Sequence, residues 1–162
     1  MPAARFSVVP AAYVYLLRGD EVLLQRRRNT GYMDGKWVAG AAGHIELGET
    51  AAAAAAREAA EELGVRIGLA ELRPATVMQR TDGTAAPIEQ RADWFFTTTA
   101  WHGQPVVMEP DKCADIAWFP LDRLPDQIPG YERFVLDGLA TGTLAPFTSF
   151  GFARRLGGQA AE

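Results

Sequence analysis

The sequence predicts an α+β layered domain. Short runs rich in β-branched and aromatic residues recur along it, two stretches have helical character, and the two kinds of element alternate in mixed order. The 162 residues are 48% hydrophobic and 22% charged, ordinary for a globular protein. That length suits one domain with a sizeable core, expected over residues 1–156.

In chain order, Arg5 and the FSVVPAAYVYLL after it have a faint likeness to a signal peptide. Pro10 interrupts that run and a charged RGDE turn follows, so it reads as a strand. Residues 13–17 and 22–25 are β-rich runs around Arg18-Gly19-Asp20-Glu21, a hairpin with Gly19 in the turn. Arg26, Arg27 and Arg28 follow, either as a solvated strand end or facing phosphate. Residues 29–36, NTGYMDGK, are dense in turn formers. Residues 37–42 read as one short strand leading into the stretch at 43–65, with Gly43 permitting a tight loop.

Beyond Gly64, residues 65–69 begin an extended region. Residues 72–80 contain a strand at Thr76-Val77-Met78, and 81–87 form a loop. Asp93-Trp94-Phe95-Phe96-Thr97-Thr98-Thr99 has the composition of a strong strand. Residues 103–113, with EPDKC, form a loop, and His102 beside Gly103 reads as a turn residue. Residues 114–119 are a strand closed by Pro120-Leu121-Asp122. Residues 131–140 form the second helix, on which Phe134, Leu136 and Leu139 give only a partial apolar stripe. A frayed tail is expected at 157–162.

Composition excludes several classes. A net charge of −4 argues against a broad basic surface for a nucleic-acid polymer. The single cysteine, Cys113, cannot form an internal disulfide and fits a reducing cytosol, so a cytoplasmic setting is expected. No apolar run approaches the roughly 18 residues of a membrane span.

The central stretch, residues 43–65, reads GHIELGETAAAAAAREAAEELGV. Thr50 suits a helix cap, six alanines follow, and Gly64 suits a left-handed stop. Glu58, Glu61 and Glu62 share one helical face within an arc of about 100°. Like charges so placed repel, and a hard divalent cation would relieve them. A solvated acidic face is the ordinary alternative for such a cluster. Against it stands the wider pattern: Gly43, Glu49, Arg57, Glu58, Glu61, Glu62 and Gly64 fit G-x5-E-x7-R-E-U-x-E-E-x-G-U, with U aliphatic. Seven fixed positions at about 7% each match by chance about once in 10⁸ windows. This pattern is the Nudix box, and the chain resembles the Nudix hydrolase superfamily, with looser similarity to MutT-like members over residues 13–152. One departure is Ala59 at the first U, where looser packing under the helix is expected.

The resemblance implies a Nudix fold, an α/β/α sandwich with a central mixed sheet. It also implies hydrolysis of a nucleoside diphosphate linked to a group X, with Mg²⁺ or Mn²⁺ as cofactor. Carried over residue by residue, Glu58, Glu61 and Glu62 are the metal ligands, with the backbone carbonyl of Ala42 or Gly43 as an additional one. Arg57 and Glu49 pair across the loop–helix turn, and Gly43 and Gly64 support the site. A further acid from outside the box is sought among Glu89, Asp93 and Glu109. Trp118, Asp111, Lys112 and Arg80 are candidate substrate contacts, and His44 occupies a position the family leaves variable.

The first functional expectation is pyrophosphohydrolysis of a canonical or oxidised nucleoside triphosphate to the monophosphate and pyrophosphate. ADP-ribose or a nucleotide sugar is the alternative. A non-catalytic nucleotide-binding module and an isoprenoid diphosphate isomerase rank below these. The expected partner is a small-molecule nucleotide, not a membrane, and a homodimer stays open because many relatives dimerise.

Overall fold

The computed structural model describes residues 5–153; the tail expected at 157–162 lies outside them. Eight strands form one mixed sheet, flanked by two helices. The strands are β1 (Val9–Arg18), β2 (Glu21–Arg27), β3 (Trp37–Ala39), β4 (Ala41–His44), β5 (Arg73–Arg80), β6 (Arg91–Thr98), β7 (Cys113–Pro120) and β8 (Phe147–Phe150). The helices are α1 (Ala51–Leu63) and α2 (Gly130–Thr141). The main path runs β3-β2-β1-β6-β5-β8, with β4 on β1 and β7 on β2. Pairing is mixed: β1 with β6 and β5 with β8 are parallel, the rest antiparallel.

Two cores explain the layers. On one face Ala54, Ala55, Ala59 and Leu63 of α1 pack on Ala12, Val14 and Leu16 of β1. On the other, Tyr131, Val135 and Leu136 of α2 meet Tyr13, Tyr15 and Phe95. Residues alternate across β1 because successive side chains of a strand point to opposite faces. The result is an α/β/α sandwich, as the resemblance implied.

The sheet forks. Gly19, at φ 60°, turns β1 into β2, and the pair is in register only at Leu17↔Val22 and Arg18↔Glu21. Beyond that β2 leaves with β3 and β7, while β1 continues with β4 and β6. Residues 37–42, expected as one strand, therefore split at Gly40: Ala39 pairs with Leu24 of β2, and Ala41 with Val14 of β1. A Cβ at Gly40 would lie 3.2 Å from Leu63 Cδ1 and 3.3 Å from the Leu23 carbonyl oxygen, so the crossing is tight and a side chain there would push its neighbours by a few tenths of an ångström.

Other boundaries shifted. The extended region expected at 65–69 is one bridge, Arg66↔His102, before a 3₁₀ turn at Leu69–Glu71; His102 is thus a bridge residue. β8 was not anticipated. The looser packing expected beneath Ala59 is absent, because this residue is fully buried and the row of small side chains lets α1 lie close to β1 and β4. Among the described residues no helix is long and apolar enough to cross a membrane.

Candidate active site

Helix α1 presents its acidic face to the open side of the fork. The Thr50 hydroxyl accepts the Ala53 N–H at 3.1 Å, and Gly64 ends the helix at φ 69°. Arg57 then ties the helix to the loop before it. Its Nε and Nη2 donate to the two oxygens of Glu49 at 2.8 and 3.1 Å, and Nη2 also reaches the His44 carbonyl at 3.1 Å. Its Nη1 donates to Glu58 at 2.7 Å and to Glu61 at 3.2 Å. The hydrogen bonds from Arg57 hold the Glu49 carboxyl below its ordinary range.

Glu62 fills the fork. Its Oε2 accepts the Ala42 N–H of β4 at 3.0 Å and the Gln25 side-chain amide of β2 at 2.9 Å. Gln25 Nε2 also donates to the Gly40 carbonyl at 3.1 Å, so one side chain bridges the diverging strands. Burial pushes the Glu62 carboxyl up to about 8, and the charge of Glu58 adds to that. Glu58 is also raised, again chiefly by burial. Gly43 lies inside β4 and not in the tight loop expected of it. A Cβ there would stand 2.0 Å from Glu58 Oε1, so the glycine makes room for a carboxylate.

These groups line a cleft of about 640 Å³ that holds Glu58, Glu61, Glu62, Glu109, Arg57 and Lys112. Among the described residues no three His, Cys, Asp or Glu side chains already converge as a closed metal cage; Arg57 occupies oxygens of Glu58 and Glu61 instead. The donor set nevertheless suits a hard divalent cation. It is all carboxylate, and among the described residues buried Glu62 has neutral donors beside it and no salt-bridge partner. The Ala42 carbonyl leaves its strand on the same edge as the N–H that serves Glu62.

A second cavity of about 280 Å³ adjoins the first and shares Gln25, Arg27 and Ala42 with it. It lies on the α2 side, walled by Tyr13, Tyr32 and Tyr131, with His44, Arg91 and Glu132. His44 Nε2 is 3.3 Å from Arg91 Nη1, and burial, then Arg91, lowers the imidazole's affinity for a proton.

The candidates from outside the box divide. Glu109 reaches the acidic cleft, paired with Lys112 at 3.0 Å. Asp93 does not: it is fully buried, with Oδ2 accepting from Arg80 Nε at 2.7 Å. Arg80 is accordingly no phosphate contact, since its guanidinium is buried between Asp93 and the Tyr131 ring, 3.8 Å from the ring centre. Glu89 ends a 3₁₀ turn, Pro87–Glu89, outside both cavities. Trp118 packs on the α1 core, stacked on Trp101 at 6.1 Å with Arg18 over its ring at 4.1 Å, and lines neither cavity. Asp111 is exposed, and its backbone carbonyl accepts from Asn29. Gln25, Arg91, Tyr131 and Glu132 were missed. An acid one turn before Val135 and Leu136 on an apolar helix face, and a glutamine within a buried strand, were the available signals.

The family model for the NUDIX domain matches residues 8–137. An isopentenyl-diphosphate Delta-isomerase of Rhodobacter capsulatus is 33% identical over 126 residues, 76% of this chain and 71% of that protein. The crystal structure of a MutT NUDIX hydrolase from Burkholderia pseudomallei aligns at TM-score 0.66 and 28% identity, covering 81% of this chain and 97% of the other. A mutator MutT protein from Bacillus halodurans shares the fold at TM-score 0.66 and 17% identity, over 82% of each chain. The chain belongs to the NUDIX family, and it is an enzyme of the Nudix hydrolase type.

Proposed function

We propose that this chain, as a single catalytic domain over residues 1–156, hydrolyses the diphosphate linkage of a nucleoside triphosphate, canonical or oxidised, to the monophosphate and pyrophosphate. The observation that carries this is the meeting of four carboxylates, Glu58, Glu61, Glu62 and Glu109, in a cleft that adjoins a cavity sized for one ring system. Glu58, Glu61 and Glu62 would hold Mg²⁺ or Mn²⁺, with Glu109 and the Ala42 carbonyl at the margin. When bound, the cation neutralises phosphate charge and acidifies the attacking water.

The chain's own residues do the rest. Arg57 and Glu49 fix the helix against its loop, so the carboxylates keep their places. Gln25 and the Ala42 N–H hold one edge of Glu62 and leave the other to the cleft. A carboxylate of this set accepts the proton of the attacking water. Lys112 and Arg27, both at the cleft, meet the charge of the phosphates. A small-molecule nucleotide is the partner, and reduced Cys113 fits a cytoplasmic setting.

A second reading has support in the comparisons, because the curated relative from Rhodobacter capsulatus is named as an isopentenyl-diphosphate isomerase. Both readings need a diphosphate held beside the acids; they differ in what the adjoining cavity takes. A screen with Mg²⁺ and with Mn²⁺ separates them. Nucleoside triphosphates, oxidised purine nucleotides, ADP-ribose, nucleotide sugars and isopentenyl diphosphate are offered, with products identified by mass and by proton NMR. Monophosphate plus pyrophosphate supports the proposal. AMP plus a sugar phosphate moves it to nucleotide sugars. Double-bond migration in isopentenyl diphosphate without hydrolysis of any nucleotide overturns it.

A further inference from the structure

A third cavity, of about 640 Å³, lies past the C-terminal end of α1 and shares no lining residue with the two spaces described above. Two segments build it. After Gly64 the chain runs to the 3₁₀ turn that ends at Glu71, and after β6 it turns through Thr99 and Ala100. Buried Thr98 sets that second turn: its hydroxyl donates to the Ala100 carbonyl at 2.9 Å and accepts the Ala100 N–H at 3.2 Å. The Arg66↔His102 bridge joins the segments. The Arg66 N–H donates to the His102 carbonyl at 3.0 Å, and the His102 N–H to the Arg66 carbonyl at 2.9 Å. A pair bonded both ways carries its side chains on one side, with Cβ atoms about 5 Å apart. Arg66 and His102 are exposed, and both line the cavity.

We infer that this cavity is a non-catalytic binding site for a nucleoside monophosphate, with the base stacked on Trp101 and the phosphate met by Arg66 and His102. Trp101 is a platform already held in place. It is half-buried, Trp118 stacks against it at 6.1 Å between ring centres, and Arg18 covers Trp118 at 4.1 Å. A ring fixed in this way has little freedom to lose when a base stacks on it, and such stacking contributes about 1–3 kcal/mol.

The charges around the platform are uncommitted. Among the described residues Arg66, Glu71 and His102 form no ion pair, whereas Arg57 and Lys112 at the acid cleft both do. The end of α1 does not call for them either. Its Leu63 and Glu62 carbonyls already accept the Val106 and Met108 N–H groups, at 3.0 and 3.2 Å. Glu71 adds an acceptor for an amino group on the base. The four groups together define the ligand: a flat ring with a donor, joined to an anion. A prenyl diphosphate has the anion and no ring for Trp101. The volume lies within the roughly 300–1,000 Å³ of small-molecule sites. The hydrolase reading makes such a monophosphate the chain's own product, but the site stands without that reading.

The test is an NMR titration of the isotope-labelled full chain with AMP, without divalent cation. Adenosine and ribose 5-phosphate, the ring alone and the phosphate alone, are the controls. The Trp101 indole N–H and the Arg66 and His102 amides should shift together and saturate. Each control should bind at least about 10-fold more weakly than AMP, since each forgoes one contact. Arg66→Ala should weaken AMP at these resonances about 10-fold and leave basal turnover unchanged. Shifts confined to the acid cleft and the second cavity, with Trp101 unmoved, overturn the inference. So do equal affinities for AMP and either control, and an Arg66→Ala chain that binds AMP as the native chain does. A chain that binds AMP here yet hydrolyses no nucleotide sinks the hydrolase reading and leaves this site standing.

Discussion

Gly43 has its place because of an atom it lacks. A methyl group at this position would overlap Glu58 Oε1 at 2.0 Å, and the backbone φ there is ordinary, so the constraint is space and not conformation. Gly43→Ala should therefore displace Glu58 and cut kcat by at least about 10-fold. The melting temperature should fall by only a few degrees, which steady-state kinetics and calorimetry on one preparation would show. Glu61→Gln and Glu62→Gln should each lower turnover by orders of magnitude with the circular dichroism spectrum unchanged; folded variants with native turnover would sink the metal assignment. Glu132 gives a pH signature. Burial holds its carboxyl up at about 7 against an ordinary 4.5. The folded chain thus keeps a proton there that the unfolded chain releases. The stability from this group is complete below about 4.5 and is lost as pH rises through about 7. Across pH 5–8 the native chain should lose melting temperature relative to Glu132→Gln; parallel curves would refute it. At this scale the box acids could be read from the sequence because their spacing is local. Asp93 and Arg80 were misread because their partners lie on neighbouring strands, 13 residues apart in sequence.

Helix α1 shows how an element can be legible at both ends. Thr50 and Gly64 act as their residue types suggest, and the alanine run supplies the propensity between them. Only its closeness to the sheet was misjudged, since an alanine row reads as thin packing until the distance to the next layer is known. Arg57 is the tie between this helix and its approach loop. Arg57→Ala leaves the largely covered carboxylates of Glu49 and Glu58 without their cation. The melting temperature should drop by about 2–8 °C, equivalent to about 1–2 kcal/mol in a domain of this size, with activity falling alongside. Native activity at a lowered melting temperature would confine Arg57 to stability. The split of β3 from β4 at Gly40 was not legible, because nothing local to residues 37–42 records that β1 and β2 part company. β8 escaped for a similar reason: four residues of edge strand carry little periodic signal, and it is pairing with β5 that makes them a strand.

The whole molecule joins two half-filled spaces around one sheet fork. The acids on the α1 side oppose folding when no cation is present, because Glu62 gains a proton on burial that it would otherwise lose. Mg²⁺ should therefore stabilise the chain as well as activate it. A cation at 100 times its dissociation constant adds about 2.7 kcal/mol, or roughly 5–10 °C for a domain of this length. Differential scanning calorimetry with and without Mg²⁺ would show this, and Glu62→Gln should lose most of the increment. An equal increment in that variant would place the cation elsewhere. The α+β architecture was legible because it follows from the order of elements; the fork and the second cavity were not, because they depend on how the strands diverge.

The partition of Gln25, Arg27 and Ala42 has one more consequence. Of these three residues, only Ala42 adjoins the box; beyond the partition the box itself supplies Gly43 and His44, and the rest of the wall comes from β1, β3, β6, α2 and the loop that carries Tyr32. The helix that carries the acids and most of the second cavity's wall are thus different stretches of sequence meeting at a shared boundary. Variation in one can accumulate without disturbing the other, so descendants of this chain could change diet while keeping the same teeth.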